Sequence, residues 1–465
     1  MMASTSESPS TRSCVAIHVT EPGVRTRNGS LRCEIGKNVE FSTASLESYF
    51  FSRWEPIAYD ALLVAAAVEF GDRTQRRPAY TWQREIELLV PVHDPDQWND
   101  KRLVDALHSV LDFLTGDRWH IDFYKRKQAM SQPRQGLLNL HSGVDAVIPF
   151  SNGMDSRAVA GLMSLEMGDR LVRVRLGSTL QDREALSRKR EAFTSVPFHV
   201  KSGQRAFIES TARSRGFKFA LVSGLAAHLA GANQVVIPES GQGALGPTLV
   251  PVGQAYEDYR SHPLFTCRME EFLDALLDHR VRFSFPRLWY TKAETLSKFV
   301  NECGDGSSWP LTWSCWQQSR QVSVNCKKRQ CGICAACMLR RLSVFAAGLT
   351  EPKESYVWED LTATHFAAGA ATSFPREKIT RALREYAIAG ALHLDHLAGL
   401  QNSNANARML TLSAFQLSKA LGLKEADTRA KLDRLLHQHS CEWRNFMLSL
   451  GQNSFVADWA LSARS

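Results

Sequence analysis

The chain lacks the features of a membrane or secreted protein. No stretch approaches the roughly 18 uninterrupted apolar residues that a membrane-spanning helix needs. The first residues, MMASTSE, do not show the charged and then apolar order of a secretory signal peptide. Five of the ten cysteines are scattered singly, unlike a secreted disulfide framework. We therefore expect a protein of the reduced cytoplasm with no membrane partner.

The chain also has little net charge for its size. Its 56 basic residues stand against 48 acidic ones, which gives a formal net charge of +8. This excess permits an anionic partner but does not require nucleic acid, because the charges form no clear basic patch. No internal repeat is apparent. With 465 residues, 44% of them hydrophobic, the chain predicts two or three globular domains.

The other five cysteines lie close together in the sequence and indicate a metal site. Cys331, Cys334 and Cys337 recur at every third residue, a spacing at which a tight turn can point three thiolates at one ion. Tetrahedral zinc needs a fourth ligand, for which Cys315 and Cys326 compete. Four thiolates leave no open position, so the zinc would be structural. The alternative, ordinary buried residues or disulfide partners, fits this clustering less well.

The first part of the chain, residues 1–135, predicts a small N-terminal α+β domain after a disordered Ser/Thr-rich start. Alternating apolar residues indicate strands at 31–35 and 86–90. Helix-spaced apolar residues indicate helices at 57–69 and 101–114.

The middle of the chain, residues 136–350, changes to apolar strands that alternate with helices. Strands are predicted at 146–150, 172–176 and 234–238. This alternation is typical of an α/β fold with a parallel sheet and crossover helices. The cysteine segment falls at the end of this domain.

The last part of the chain, residues 351–465, predicts a mainly helical C-terminal region. Its helical segments are expected at 375–400 and 410–436. The sequence does not indicate what this region does.

A loop of small and polar residues follows the first strand of the middle domain and precedes a helix. Such a loop exposes backbone N–H groups at the positive end of the helix, where a phosphate group binds well. The alternative is an ordinary turn in which Asp155 or Ser156 caps the helix. The residues of this predicted phosphate loop are Ser151, Asn152, Gly153, Met154, Asp155 and Ser156.

This loop resembles the Ser-Gly-Gly-x-Asp-Ser signature of the PP-loop ATP pyrophosphatases. Asn152 stands in place of the first glycine, and Asn is the residue most tolerant of a left-handed backbone after glycine. The resemblance implies an adenine nucleotide alpha hydrolase-like fold, ATP as substrate and Mg²⁺ on the side of Asp155. The Gly-Lys-Ser/Thr ending of a Walker A loop is absent.

Together, the phosphate loop and the cysteines are similar to the QueC family of 7-cyano-7-deazaguanine synthases. The resemblance rests on Ser314-Cys315, on the Cys-Gly-x-Cys-x-x-Cys segment from Cys331 to Cys337, and on Arg340. It implies that Cys315 is the fourth zinc ligand. It also implies that ATP activates the carboxylate of a 7-deazaguanine and that ammonia then displaces AMP.

The N-terminal block narrows the resemblance further. Its segments Asp72-Arg73, Trp82-Gln83-Arg84 and Phe113 to Asp117 resemble the QatC branch of QueC-like proteins, which occurs in the Qat operons of bacterial anti-phage defence. This implies a protein acceptor for the deazaguanine, encoded in the same operon, in place of ammonia.

Five further residues are candidates for the site. Glu239 follows a strand, where it would contact substrate or magnesium, or else lie in a solvated turn. Arg260 and His262 offer a cation and an imidazole for a phosphate or purine-like edge, although a lone histidine near proline is more often structural. Lys292, in a segment that resembles the family, would neutralise the departing pyrophosphate, or lie on a solvated helix face. The side chain of Arg175 projects from one face of a strand, and that face is either solvated or lined by nucleotide.

Two other classes of protein remain possible from the sequence. A PP-loop enzyme that modifies transfer RNA would also carry a cysteine zinc site, but it should show a nucleic-acid-binding appendage or a catalytic cysteine pair. A non-catalytic zinc-binding interaction protein would need no phosphate loop. We therefore expect an ATP-dependent ligase or synthase with Asp155 and Lys292 as its catalytic residues.

Overall fold

The structure is a computed structural model that describes residues 14–41, 56–78, 82–128, 143–176, 193–196, 198–203, 206–209, 213–252, 256–317 and 322–460. Across these ranges it has a mixed α/β architecture with two parallel sheets. None of the helices in these ranges is both long enough and apolar enough to pass through a membrane.

The N-terminal region forms a four-stranded sheet in the order β2-β1-β4-β5, and every neighbouring pair of strands is parallel. Its elements in chain order are β1 (Cys14–Thr20), β2 (Leu31–Glu34), β3 (Val39–Phe41), α1 (Pro56–Thr74), β4 (Glu85–Val92), α2 (Pro95–Trp98), α3 (Lys101–Thr115) and β5 (Arg118–Lys125). The expected α+β class is therefore wrong for this region. Helices join its later strands, so the strands run parallel and the arrangement is α/β.

The two predicted strands of this region are β2 and β4, and its two predicted helices are α1 and α3; strands β1, β3 and β5 were missed. Helix α3 begins at its N-cap Asp100, whose side chain accepts from the N–H groups of Arg102 and Leu103. It ends at Gly116, which has a φ of 69°. That left-handed conformation suits glycine at a helix end.

A buried network of four charged side chains joins α1 to the loops before β4 and β5. Arg84, fully buried, donates to both carboxylate oxygens of Asp117 at 3.1 and 2.7 Å and to Asp72 Oδ1 at 2.6 Å. Arg77 donates to the same two carboxylates at 2.8 and 3.0 Å. Three of these residues belong to the segments on which the narrower resemblance rests. Their shared role is to pair charges inside the fold.

The central region contains a five-stranded parallel sheet in the order β11-β10-β6-β7-β8. Its elements are β6 (Ala146–Pro149), α4 (Met154–Met167), β7 (Leu171–Leu176), β8 (Phe193–Val196), β9 (Phe198–Val200), α5 (Arg215–Ala230), β10 (Gln234–Val236), α6 (Gly241–Ala244), α7 (Gly246–Leu249), α8 (Pro263–Leu277), β11 (Arg282–Ser284) and α9 (Lys292–Cys303). The three predicted strands are β6, β7 and β10. The short strands β8, β9 and β11 were missed.

The N-terminal and central regions pack together around shared apolar residues. One cluster of buried side chains runs from β1 and α1 into α5 and α8. Strand β3 also pairs with β9 in antiparallel register, with Val39 opposite Val200. The predicted boundary at residue 135 lies outside the described residues, and the division into domains stays a prediction.

The cysteine segment and the C-terminal region form a second core. Their elements are β12 (Ser323–Val324), β13 (Lys327–Lys328), α10 (Ala335–Ala346), α11 (Arg381–Gly399), α12 (Ala407–Leu421), α13 (Glu425–Leu450) and α14 (Phe455–Trp459). The single helical segment expected at 410–436 is two helices, because Gly422, with a φ of 64°, ends α12 and the chain turns before α13. Buried residues of α10, α11 and α13 surround the clustered cysteines.

Candidate active site and metal centre

The strand order of the central sheet locates the crevice in which a ligand would bind. Strand β6, the first in the chain, lies between β7 and β10, so the order reverses between β6 and β10. In open parallel sheets, ligands bind outside the carboxyl ends of the strands at such a switch point. The predicted phosphate loop follows β6, and Glu239 follows β10. The sequence candidates therefore lie on both sides of this crevice.

The phosphate loop leads directly into α4. Gly153 is the N-cap, extended at φ −71° and ψ 153°, and no side chain of the described residues caps the first turn. Ser151 Oγ accepts a hydrogen bond from the Gly153 N–H at 3.1 Å and lies 2.9 Å from Ser156 Oγ. The alternative in which Asp155 or Ser156 caps the helix does not hold, since both lie inside it. The uncapped N–H groups and two hydroxyls suit an anion.

Asn152 contributes its backbone and has no left-handed conformation. The described non-glycine residues with positive φ do not include it. The acceptance of Asn in place of the first glycine therefore does not depend on its tolerance of a left-handed backbone. Instead, the Asn152 carbonyl accepts the N–H of Trp313 at 2.7 Å. This hydrogen bond attaches the phosphate loop to the segment that precedes Cys315.

Asp155 and Lys292 form an ion pair across two helix starts. Lys292 is the first residue of α9 and its Nζ donates to Asp155 Oδ2; the side chains are 11% and 8% exposed. The other oxygen of Asp155, Oδ1, is buried and has no hydrogen-bond partner in the described part of the chain. A buried oxygen without a partner is costly, and carboxylate oxygens are the ligands that Mg²⁺ prefers. Oδ1 is thus suited to hold a cation.

Glu239 lies within electrostatic reach of this pair. Its burial, and then the negative charge of Asp155, raise the pKa of Glu239 to about 7, while Lys292 and Arg260 oppose the rise. Glycine at 243 gives the carboxylate room, because a β-carbon there would lie 2.3 Å from Glu239 Oε2. The crevice therefore brings two carboxylates and one ammonium together, and a divalent cation there would relieve the repulsion between the carboxylates.

Arg175 lies beside the phosphate loop on a buried face of β7. The guanidinium groups of Arg173 and Arg175 lie 5.3 and 5.1 Å from the ring centroid of Phe150, the residue before Ser151. Both arginines are buried, with 6% and 4% exposed. The solvated alternative for this face is therefore excluded. Arg173 also donates to Ser164 Oγ at 2.7 Å, and Arg175 stays a candidate for the nucleotide.

Arg260 and His262 have roles within the fold. The guanidinium of Arg260 pairs with Asp258, whose charge raises the pKa of Arg260, and the Arg260 side chain is 40% exposed. His262 is the N-cap of α8, where its Nδ1 accepts the N–H of Leu264 at 3.2 Å. Burial lowers the pKa of His262 to about 3, so the ring is neutral. Helix capping accounts for His262 without a substrate.

The cysteine centre consists of Cys315, Cys331, Cys334 and Cys337. All four are buried, and their sulfur atoms lie within 4.8 Å of one another. Cys326 is exposed at the turn between β12 and β13, where it and Asn325 have φ values of 61° and 48°. Positive φ values are typical of a two-residue hairpin turn, and the exposed Cys326 of this turn lies outside the buried cluster.

The local structure of this centre fits a tetrahedral zinc ion. Backbone N–H groups of Cys331, Cys334 and Cys337 donate to the sulfurs of Cys315, Cys331 and Cys334 at 3.2, 3.3 and 3.4 Å. Such bonds stabilise negative charge on sulfur. Gly332, at a φ of 86°, makes the tight turn, and a β-carbon there would lie 2.9 Å from the Trp358 carbonyl. Four thiolates with these supports could hold zinc structurally.

Arg340 stabilises the surroundings of this centre from a buried position. Its fully buried guanidinium pairs with Glu351 at 2.7 Å and donates to Thr312 Oγ1 at 2.7 Å. The segment from Thr312 also carries Trp313 and Cys315. The cysteine centre therefore connects through this segment to the phosphate loop.

The sequence did not predict the contacts by which distant parts of the chain hold the backbone around Lys292. The Lys292 N–H donates to Gln242 Oε1 at 2.7 Å, and Thr291 Oγ1 donates to Glu442 Oε1 at 2.6 Å. Gln242 is separated from Lys292 by 50 residues, and Glu442 from Thr291 by 151. No local pattern links residues so far apart.

Comparison with known proteins finds a match to a family model. Residues 245–347 match the family of the queuosine biosynthesis protein QueC. The matched span includes Lys292 and the four clustered cysteines, and it begins after the phosphate loop and Glu239. No curated protein matches the chain. The resemblance to the QatC branch stays a prediction, and the match supports a QueC-like family for this chain.

Proposed function

We propose that the chain is a QueC-like PP-loop enzyme that uses ATP to adenylate the carboxylate of a 7-deazaguanine. The observation that supports this most strongly is the placement of the uncapped start of α4 beside the Asp155–Lys292 pair at the switch point. That placement combines N–H groups for phosphate, an ammonium for a leaving group and an unpartnered carboxylate oxygen.

In the proposed reaction, a carboxylate oxygen of the substrate attacks the α-phosphorus of ATP. A phosphorus–oxygen bond forms, the bond from the α-phosphorus to the bridging oxygen breaks, and pyrophosphate leaves with the electron pair. A nitrogen nucleophile then attacks the acyl carbon, and AMP leaves with the oxygen that came from the carboxylate. The chain supplies mainly position and electrostatic stabilisation for these steps.

The residues of the crevice have distinct roles in this proposal. The N–H groups that start α4, with the hydroxyls of Ser151 and Ser156, bind phosphate oxygens. Lys292 neutralises charge on the departing pyrophosphate. Asp155 Oδ1 and Glu239 would hold Mg²⁺, which supplies charge neutralisation when bound.

Zinc is proposed to have a structural role alone. Four thiolates would fill its coordination shell, and the hydrogen bond from Trp313 to the Asn152 carbonyl attaches its surroundings to the phosphate loop. Loss of zinc should therefore loosen the loop and reduce turnover indirectly.

The nucleophile is a separate part of the proposal. A defence protein of the QatC branch would transfer the deazaguanine to an amine of a protein encoded in the same operon, whereas a synthase of the queuosine pathway would use ammonia. Mass spectrometry of the neighbouring protein, incubated with the enzyme, ATP and substrate, separates the two. A deazaguanine adduct supports the first. With ammonium, the free carboxamide, or the nitrile formed when a second ATP activates that amide and AMP leaves with its oxygen, supports the second.

The test of ATP activation is the identity of its products. The wild-type protein with ATP, Mg²⁺, 7-carboxy-7-deazaguanine and an amine acceptor (ammonium or the neighbouring protein) should release AMP and pyrophosphate in equal amounts. Asp155→Asn should lose most of this activity, while Asp169→Asn, on an exposed turn after α4, should retain it. Release of ADP and phosphate, or normal turnover by Asp155→Asn, would refute the proposal. Turnover that needs RNA would favour the transfer RNA alternative, and a folded, zinc-loaded but inactive protein would favour the binding protein.

A further inference from the structure

The C-terminal region reaches the candidate active site through a buried chain of hydrogen bonds. The Lys292 N–H donates to Gln242 Oε1 at 2.7 Å, and Gln242 Nε2 lies 2.7 Å from His439 Nδ1. His439 Nε2 lies 2.9 Å from the Leu394 carbonyl of α11. Gln242 is 2% exposed and His439 is fully buried. The chain thus connects α9 through α6 to α13 and α11.

Each hydrogen bond in this chain has one possible direction. The Leu394 carbonyl can only accept, so His439 Nε2 must carry a hydrogen. Burial lowers the pKa of His439 to about 4, so the ring is neutral and Nδ1 is an acceptor. Gln242 therefore donates through Nε2 and presents Oε1 to the Lys292 N–H. The orientation of the Gln242 amide is fixed from both ends.

A second contact holds the same helix start. Thr291, the N-cap of α9, forms a capping box with Glu294. Its hydroxyl donates to Glu442 Oε1 at 2.6 Å, and that oxygen also accepts from Gln438 Nε2 at 3.0 Å. Glu442 of α13 thus binds the N-cap residue of α9 directly, and Gln438, one helical turn earlier, binds the same oxygen of Glu442.

These contacts determine where the Lys292 ammonium lies. The first N–H groups of a helix have no partner within the helix, so the helix alone does not fix its first residue. Lysine has a long and flexible side chain. A fixed backbone at Lys292 limits the region that its ammonium can reach, and that region contains Asp155.

We propose that Gln242 and His439 are positioning residues, which hold Lys292 against Asp155 at the phosphate loop. The C-terminal helices are then part of the active-site structure. This inference rests on the proposed function for its kinetic consequence. Its geometric consequence, the restraint of Lys292, is measurable in the protein without substrate.

Two substitutions of His439 separate positioning from general stability. The amide of Asn reaches about as far as His Nδ1, so His439→Asn retains an acceptor for Gln242 and loses the bond to Leu394. The amide of Gln reaches about as far as His Nε2, so His439→Gln retains the bond to Leu394 and removes the acceptor. Each variant loses one buried hydrogen bond.

Positioning predicts unequal kinetic effects from this pair. For His439→Gln, we expect the kcat for AMP release to fall by about tenfold or more, because a misplacement of about 1 Å can cost on the order of 100-fold. The KM for ATP should change by less than about twofold. His439→Asn should stay within about threefold of wild type in kcat. Gln242→Met, which removes both bonds of the glutamine at similar volume, should behave as His439→Gln.

The second readout is the rate at which Lys292 is reductively methylated in the free protein, followed by peptide mass spectrometry. The rate should rise in His439→Gln and Gln242→Met and stay near wild type in His439→Asn. His437→Gln, on the exposed face of the same helix, is the control and should change neither readout. Equal effects of the two His439 variants, or unchanged methylation in Gln242→Met, would overturn the proposal. A wild type that releases no AMP would refute the proposed function, and the methylation rates would still decide the positioning.

Discussion

Replacement of Glu239 by glutamine should stabilise the protein, and the gain should depend on pH. The carboxylate of Glu239 is surrounded by Asp155, Asp258, Lys292 and Arg260, and its burial is the largest cause of its raised pKa. Ionised Glu239 is therefore a cost to the fold that a bound cation would remove. Glutamine keeps the shape and carries no charge.

The size of the effect follows from the pKa. A carboxyl whose pKa rises from 4.5 in the unfolded chain to about 7 in the folded protein costs about 3 kcal/mol once it is ionised in both states. Below pH 4.5 both states are protonated and this cost is absent. Between pH 4.5 and 7 the unfolded chain ionises first, so the stability of the wild type falls as pH rises. Above pH 7 the loss is complete.

The assay is thermal unfolding of wild type and Glu239→Gln at intervals from pH 4.5 to 8 without divalent cation. The two midpoints should be close at pH 4.5, and the variant should be several degrees more stable at pH 8, since 1 kcal/mol shifts the midpoint by about 2–4 °C in domains of 150–250 residues. Asp155→Asn should reduce this difference, because it removes the second cause of the raised pKa. A difference that is constant with pH, or that favours the wild type at pH 8, would refute the reasoning.

Two further predictions concern the metal centre and the N-terminal region. Cys315→Ser should lower the zinc content measured by atomic absorption well below one equivalent, whereas Cys326→Ser should retain it. The reason is that Cys315 lies in the buried cluster and Cys326 does not. The opposite pattern would exclude Cys315 as a ligand. Arg84→Met should lower the free energy of unfolding in urea by about 3–5 kcal/mol, because it leaves two buried carboxylates short of a partner. The control Arg102→Met, at an exposed ion pair, should cost less than about 1 kcal/mol, and equal losses in both variants would contradict a role for the buried network.

The sequence predicted those parts of the fold that depend on local patterns. The strands at β6, β7 and β10 are apolar runs, and α3 carries both its apolar stripe and its stop signal at Gly116. The short strand β11 has three residues and no distinctive pattern. The parallel arrangement of the N-terminal sheet depends on how strands pair across long connections, which local periodicity does not encode.

The candidate site shows the same division. The six residues of the phosphate loop lie in one short segment, and Cys331, Cys334 and Cys337 lie in another, so the local pattern of each segment was informative. The choice of Cys315 over the nearer Cys326 depends on the fold, which buries Cys315 and leaves Cys326 exposed in a hairpin turn. The restraint of Lys292 by Gln242 and by residues of α13 depends on tertiary contacts, and no sequence pattern indicates them.

The most direct test of the account is the fate of oxygen in the substrate carboxylate. The enzyme would be incubated with ATP, Mg²⁺ and 7-carboxy-7-deazaguanine labelled with ¹⁸O in both carboxylate oxygens, with the amine acceptor present, and the AMP would be analysed by mass spectrometry. Attack of the carboxylate on the α-phosphorus predicts one ¹⁸O atom in each AMP molecule. AMP without label from the substrate would show that another nucleophile, such as water, attacks ATP, and it would contradict carboxylate activation.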